Sequence, residues 1–245
     1  MGEFFMRWKD LLLVAIASTC VSCGQAARSG DEPEVQSVAE PQVKSTDFAI
    51  LPCKGLEEIA SCALVMAGGK RVLFGAPGGI SHALSRDDLR NMDAVMLFSL
   101  RSEGTEGLDE IRNASWRAGH EGSLPVGGPS GTGAFIGALN LAYEVSDALT
   151  FVEDRPAGGF DAALLALLPG EDEERAIVFN TGDLQVTKIE SRSSRVGYWV
   201  DYEGHRIVLE PCGANQAEEF AGDVDVILNC ESGWPLKTPK FVIQD

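Results

Sequence analysis

Residues 94–108 read AVMLFSLRSEGTEGL: an apolar run ends at Phe98 and breaks into a short polar segment punctuated by Gly104 and Gly107. The pattern is that of a buried strand delivering a loop. Upstream, residues 80–92 carry helical spacing through Leu84 and Leu89. Downstream, 108–118 do so through Leu108, Ile111 and Ala114 on one face. Further back, the apolar runs 48–51, 63–67 and 71–74 are strands, the last two joined by Gly68-Gly69, a hairpin signal. A glycine-proline turn at 75–79 separates this β opening from the first helix.

The rest of the chain continues the alternation. Residues 125–127 form a short strand, and 132–152 are the longest amphipathic helix, with Phe135, Leu139, Ala142, Tyr143 and Leu149 as its expected core face. Strand-like runs follow at 164–168, 176–180, 186–190, 197–202, 206–210 and 224–229, with Tyr202-Glu203-Gly204-His205 as a hairpin turn. Two halves, each of strands followed by helical cover, fit an αββα sandwich, although periodicity alone also allows other α/β layers.

The N-terminus stands apart from this domain. Arg7 and Lys9 precede an apolar run, 11–21, that is too short to span a bilayer but suits a secretory signal, with Met6 a plausible start. The run ends in Val21-Ser22-Cys23-Gly24, which resembles a bacterial lipobox, although Cys20 stands where leucine is usual. The expectation is a signal peptide over 1–22, cleavage before Cys23 and lipid on its thiol; an ordinary signal peptide cut nearby is the other possibility. Residues 23–46 then form a lipidated N-terminus and a tether rich in Pro, Glu, Ser and Gln, holding the domain at 47–245 about 25 Å from a membrane. The protein is thus expected to be exported, on the periplasmic or cell-surface side of a bacterial membrane.

Lys, Arg, Asp and Glu within 1–22 cancel, so the mature chain keeps the formal charge of −17. Such a charge repels phosphate backbones and anionic headgroups, which argues against nucleic acid as a partner. With 245 residues, 44% of them hydrophobic, the chain is long enough for a substantial core. Leaving aside Cys20 and Cys23, four cysteines remain, Cys53, Cys62, Cys212 and Cys230. An even number in an exported chain favours disulfides, with three pairings open.

Three stretches carry a family resemblance: 62–84 (CALVMAGGKRVLFGAPGGISHAL), 124–132 (LPVGGPSGT) and 196–210 (VGYWVDYEGHRIVLE), in order around the strand and loop at 94–108. The chain resembles the metallo-β-lactamase fold superfamily, in the branch with arylsulfatase-like, tRNA-processing and cyclic-nucleotide phosphodiesterase members. The resemblance implies an αββα four-layer sandwich from residue 47 onward. It also implies the pairings Cys53–Cys62, flanking the first strand connection, and Cys212–Cys230, at neighbouring strand ends.

The family's metal ligands are not carried over. Its H-x-H-x-D-H motif falls on Ser99, Arg101, Glu103 and Gly104, and the aspartate of the preceding turn has become Gly75. The next histidine falls within 190–192, the bridging aspartate on or next to Cys212, and the last histidine on Asn229. A dinuclear zinc site needs several neutral imidazoles and a bridging carboxylate. His82, His120 and His205, the three histidines, match no ligand position and read as loop or surface residues. A rebuilt site from Glu103, Cys212 and Glu231 is chemically conceivable, but Arg101 would set a fixed positive charge beside the metal.

Other motifs read as structural. The glycine spacing at 128–133 lacks the Lys-Ser/Thr of a phosphate loop, and Ser130 lacks a nucleophile elbow's second glycine. Gly182-Asp183 mimics a ligand pair but precedes its strand, and the acidic run 171–174 suits a solvated loop. The expectation is therefore no catalytic residue, no metal and no cofactor, zinc included. That describes a non-catalytic, lipid-anchored envelope protein binding a small molecule or a protein. The alternative is a phosphodiesterase- or arylsulfatase-like hydrolase with an altered metal site.

Overall fold

The structure is a computed structural model of the chain and describes residues 43–44, 46–56, 61–190, 195–211, 223–231 and 233–243. The chain divides into two units, Met1–Pro41 and Gln42–Asp245, and every described residue lies in the second. The expected signal peptide, Cys23 and most of the tether lie outside the described residues, as does Cys212.

Strands β1 (Phe48–Pro52), β2 (Ala63–Ala67) and β3 (Lys70–Phe74) form an antiparallel meander. After it, β4 (Ala94–Met96), β5 (Leu124–Gly127) and β6 (Leu165–Leu167) add in parallel. The second half supplies β7 (Arg175–Asn180), β8 (Leu184–Glu190), β9 (Val196–Tyr202), β10 (His205–Leu209) and β11 (Val226–Leu228), a sheet ordered β11-β10-β9-β8-β7. Its pairs are antiparallel except β10 with β11. The C-terminal strand β12 (Lys240–Ile243) returns to the edge of the first sheet beside β1.

The period-2 alternation of side chains divides the apolar residues of the first sheet between two cores. Val65, Phe74, Met96 and Phe98 face the second sheet and pack with Val186, Tyr198, Val200 and Leu209. Leu64, Leu73, Val95, Leu97 and Val126 point the other way, against Ile80, Leu108, Ile111 and Ile136 of the helical layer. Each such fully buried side chain contributes about 1.5–3 kcal/mol relative to exposure. The architecture is the expected α/β one of two facing sheets with helices outside the first. On the outer face of the second sheet, Ile189, Trp199 and Val208 cluster with Val224, and no described residue forms a helix there. Residues 212–222, between the parallel strands β10 and β11, lie outside the described residues.

Two helical expectations are corrected. The helix expected over 80–92 is two short ones, α1 (Ile80–Ala83) and α2 (Arg86–Arg90). Leu84 between them is extended, and Ser85 and Asp88 form a reciprocal capping box that starts α2 afresh. The long helix α5 (Thr132–Asp154) has the expected extent but not the expected core face. Phe135 and Leu139 are partly buried against the core, whereas Ala142 is exposed and Leu149 is 57% exposed. The face turned inward is held by polar contacts. Asn140 exchanges two hydrogen bonds with the backbone of Leu165 on edge strand β6, at 2.9 and 3.0 Å. The Tyr143 hydroxyl donates to Asp109 at 2.5 Å, and buried Asp147 pairs with buried Arg112 of α4 (Leu108–Ala118).

Candidate functional site

The C-terminal ends of β3, β4, β5 and β6 meet the end of β8, the start of β9 and the chain after β11 at one end of the sandwich, and there the described ligand-equivalent residues stand. Two cross-sheet hydrogen bonds close this end. The Val196 N–H donates to the Phe98 carbonyl at 2.9 Å, and the Tyr198 hydroxyl donates to the Leu97 carbonyl at 2.7 Å. The Phe98 ring lies 5.7 Å from Tyr198 and 5.8 Å from Trp234, centroid to centroid, with Phe74 behind. Trp234 is fixed on three sides: its indole N–H donates to the Glu210 carbonyl, its backbone N–H to the Asn229 carbonyl, and its ring meets Phe98 edge-on. Aromatic rings and paired backbone therefore fill the space directly behind Ser99 and Asn229.

Ser99, Arg101, Gly104 and Asn229 each have a local structural task. Buried Ser99 accepts the Arg101 N–H through its hydroxyl at 3.4 Å. The Arg101 carbonyl takes the Gly104 N–H at 2.9 Å and the Thr105 hydroxyl at 3.1 Å, which winds the short turn α3 (Ser102–Thr105). A Cβ at Gly104 would stand 3.1 Å from the Ser99 hydroxyl, so a larger residue there pushes on Ser99. The Asn229 side chain accepts the Glu231 N–H at 3.1 Å. At Gly75, φ is +83° and an added Cβ would meet the Ser61 carbonyl at 2.2 Å, so the aspartate usual in this turn cannot be accommodated in this backbone.

Arg101 and Glu103 are exposed and do not pair with each other. Positive charge enters the site from another residue. Lys188 on β8 is fully buried between the sheets, donating to the Glu171 carbonyl at 2.5 Å with its ammonium 3.5 Å from the Glu190 carboxylate. Glu190 ends β8 at the edge of the site. Burial, and after it the Glu190 charge, pushes the Tyr198 phenol well above its ordinary value. The alternation of β8, with Leu184, Val186, Lys188 and Glu190 on the inward face, was the signal that could have found this pair.

The other motifs take structural roles, although Glu171, expected in a solvated loop, is partly buried, and His120 is buried. At the start of α5 the Gly133 N–H donates to the Glu171 carboxylate at 2.7 Å, so the protein's own carboxylate occupies the helix terminus. Asp183 sits in the β7–β8 turn beside Gly68, at the opposite end of the sandwich from Ser99. Hydrogen bonds from the Thr181 hydroxyl and from backbone hold its carboxyl below the ordinary range. His120 and His205 are also at that far end, bonded to the Arg90 carbonyl and to Asp225, and His82 is exposed on α1.

Cys53 and Cys62 form the expected disulfide, with Cα atoms 5.7 Å apart. Cys230 is disulfide-bonded, while the partner expected for it, Cys212, lies outside the described residues. Among the described residues no three His, Cys, Asp or Glu side chains gather as a metal-binding group. The residues at Ser99, Arg101, Glu103, Gly104 and Asn229 do not fit the dinuclear zinc centre that the fold family implies, because none is an imidazole and only Glu103 is a carboxylate. Two open cavities lie elsewhere. One, about 420 Å³, is on the outer face of the second sheet, where Arg175 and Arg206 flank the Trp199 ring at 4.2 and 4.6 Å. The other, about 450 Å³, is at the far end around Lys70, Asp93 and His120.

Two facing sheets, a parallel β3-β4-β5-β6 block and a loop running from β4 into α4 are the architecture that the resemblance to the metallo-β-lactamase fold implies. Its structure is similar to human tRNase Z, short form, at 16% identity and a TM-score of 0.49, covering 75% of each chain. It is also similar to the metallo-β-lactamase fold protein YhfI from Bacillus subtilis, at 13% identity and a TM-score of 0.47, covering 75% of this chain and 69% of that one. A third such structure is zinc-bound PqqB from Methylobacterium extorquens, at 16% identity and a TM-score of 0.42, over 73% of this chain and 63% of that one. No family model matches the chain, and no curated protein matches it.

Proposed function

We propose that this protein is a non-catalytic member of the metallo-β-lactamase fold, exported and held to the cell envelope by lipid on Cys23, which binds a small molecule or a protein partner without hydrolysing it. The observation that carries the reading is the use made of the described ligand positions. Ser99 and Gly104 shape the loop after β4, and Asn229 positions Trp234, which packs against Phe98. Catalysis on this fold depends on metal-bound hydroxide, and loss of a single outer-shell contact already costs about 10–100-fold in affinity or activity. Here the first shell itself is replaced, and among the described ligand positions only Glu103 carries a carboxylate.

The test is turnover of a generic phosphodiester, a sulfate ester and a β-lactam by the full chain after incubation with zinc or manganese. The expected result is no hydrolysis above buffer. Hydrolysis that disappears in Glu103→Ala or Cys212→Ser would overturn the reading and assign the protein to metal-dependent hydrolases.

A further inference from the structure

Helix α5 is built inside out. Its inward stripe, Ile136, Asn140, Tyr143 and Asp147, is largely polar and tied down by the hydrogen bonds and the ion pair to β6 and α4. Its outward stripe is apolar: Leu141 is 71% exposed, Val145 73%, Leu149 57% and Val152 69%, with Phe151 alongside at 40%. Five of the eight large hydrophobic side chains exposed among the described residues therefore lie on this one helix. Exposed Ala138, Ala142 and Ala148 complete the stripe. Residues 138, 141/142, 145, 148/149 and 152 follow the alternating three- and four-residue spacing of a helix that packs along another helix.

We propose that this face is the contact between two copies of the chain, with the α5 helices antiparallel about a two-fold axis at Val145. Such an axis sets Val145 against its own copy, Leu141 against Leu149 and Ala138 against Val152, a self-complementary contact of apolar residues and small ones that permit close approach. It sets Glu144 opposite Ser146 and Glu153 opposite Gly137, so no two carboxylates face each other, and it opposes the two helix dipoles. A parallel pair would bring each Glu144 near its own copy and align the dipoles.

The size of the face fits. The five large side chains expose about 600 Å² per protomer, and a pair would bury about 1,200 Å², the lower edge of specific interfaces. Lipid is the poorer occupant. Helices that lie on membranes border their apolar face with Lys and Arg, whereas residues 132–154 hold neither, and Glu144, Glu153 and Asp154 sit in a chain of formal charge −17.

The experiment is sedimentation velocity on the full chain from about 1 to 200 μM, together with single-cysteine crosslinking under mild oxidation. Interfaces near this lower edge include weak and transient ones, so the concentration range brackets the micromolar region. Leu141→Glu with Val145→Glu should weaken dimerisation by at least about 100-fold. At protein concentrations well below the dissociation constant the urea midpoint should not move, because both side chains face solvent in the monomer. Val145→Cys should crosslink to itself, and Ala138→Cys only to Val152→Cys. A monomer throughout the concentration range would overturn the proposal, as would self-crosslinking of Ala138→Cys. So would a monomer that floats with phosphatidylcholine vesicles and loses this binding in the double variant, which would assign the face to lipid.

Discussion

Arg112 and Asp147 are each 1% exposed, and the guanidinium of one meets the carboxylate of the other in a two-pronged contact that fastens α5 to α4. Arg112 also lies 5.1 Å from the Tyr143 ring centroid, and its Nε is buried without a hydrogen-bond partner. Arg112→Ala leaves the Asp147 carboxylate buried with no counter-charge, a change that costs about 3–5 kcal/mol. Replacing both, Arg112→Met with Asp147→Leu, removes both desolvated charges and the unsatisfied Nε. An apolar pair of this kind is often neutral or stabilising by about 1–4 kcal/mol relative to the ion pair. Urea unfolding of the wild type, the single variants and the double variant is the assay, read as midpoints at constant m. The reasoning requires strong coupling, with each single variant well below both the wild type and the double variant. Additive effects, or an Arg112→Ala loss under about 1 kcal/mol, would refute it and imply that water reaches the pair.

Three further outcomes follow from the structure. Reducing the Cys53–Cys62 bond, nine residues apart in sequence, should lower stability by about 2.5 kcal/mol on chain-entropy grounds, read as a drop of roughly 5–10 °C in Tm by differential scanning calorimetry. Because burial holds the Tyr198 phenol above its ordinary value of 10.0, its contribution is complete below pH 10 and is lost as pH rises through the folded-state value. Tyr198→Phe should therefore be less stable at neutral pH, with the Leu97 carbonyl left unpaired, yet lose less stability above pH 10; equal alkaline slopes in denaturant titrations would count against this account. Mass spectrometry of the native N-terminus should find an acylated Cys23, and an unmodified terminus further along the chain would remove the lipid anchor.

Much of the fold was legible because two-sided burial leaves a simple record. The runs at 63–67 and 94–98 are apolar throughout since both of their faces meet a core, and Gly68-Gly69 marks the turn between β2 and β3. The disulfide between Cys53 and Cys62 was implied by the family's strand connection and formed across it. The orientation of α5 was not legible, because moment reasoning assumes that the apolar face turns inward. Here Asn140 satisfies the open edge of β6 and Asp147 neutralises Arg112, polar tasks that fix the helix the other way round. At the site, the replaced ligands could be read one by one, but their new tasks could not. The contact of Phe98 with Trp234, and the bond from Lys188 to the Glu171 carbonyl, join residues far apart in sequence.

The central claim, that the metal site of this fold has been turned into structure, is tested most directly by elemental analysis of the full chain after equilibration with zinc and then with manganese, followed by dialysis. The account predicts well under one metal ion per chain in both cases, and a Tm that zinc does not raise. One or two zinc ions per chain retained through dialysis, lost in Glu103→Ala or Cys212→Ser, would contradict it.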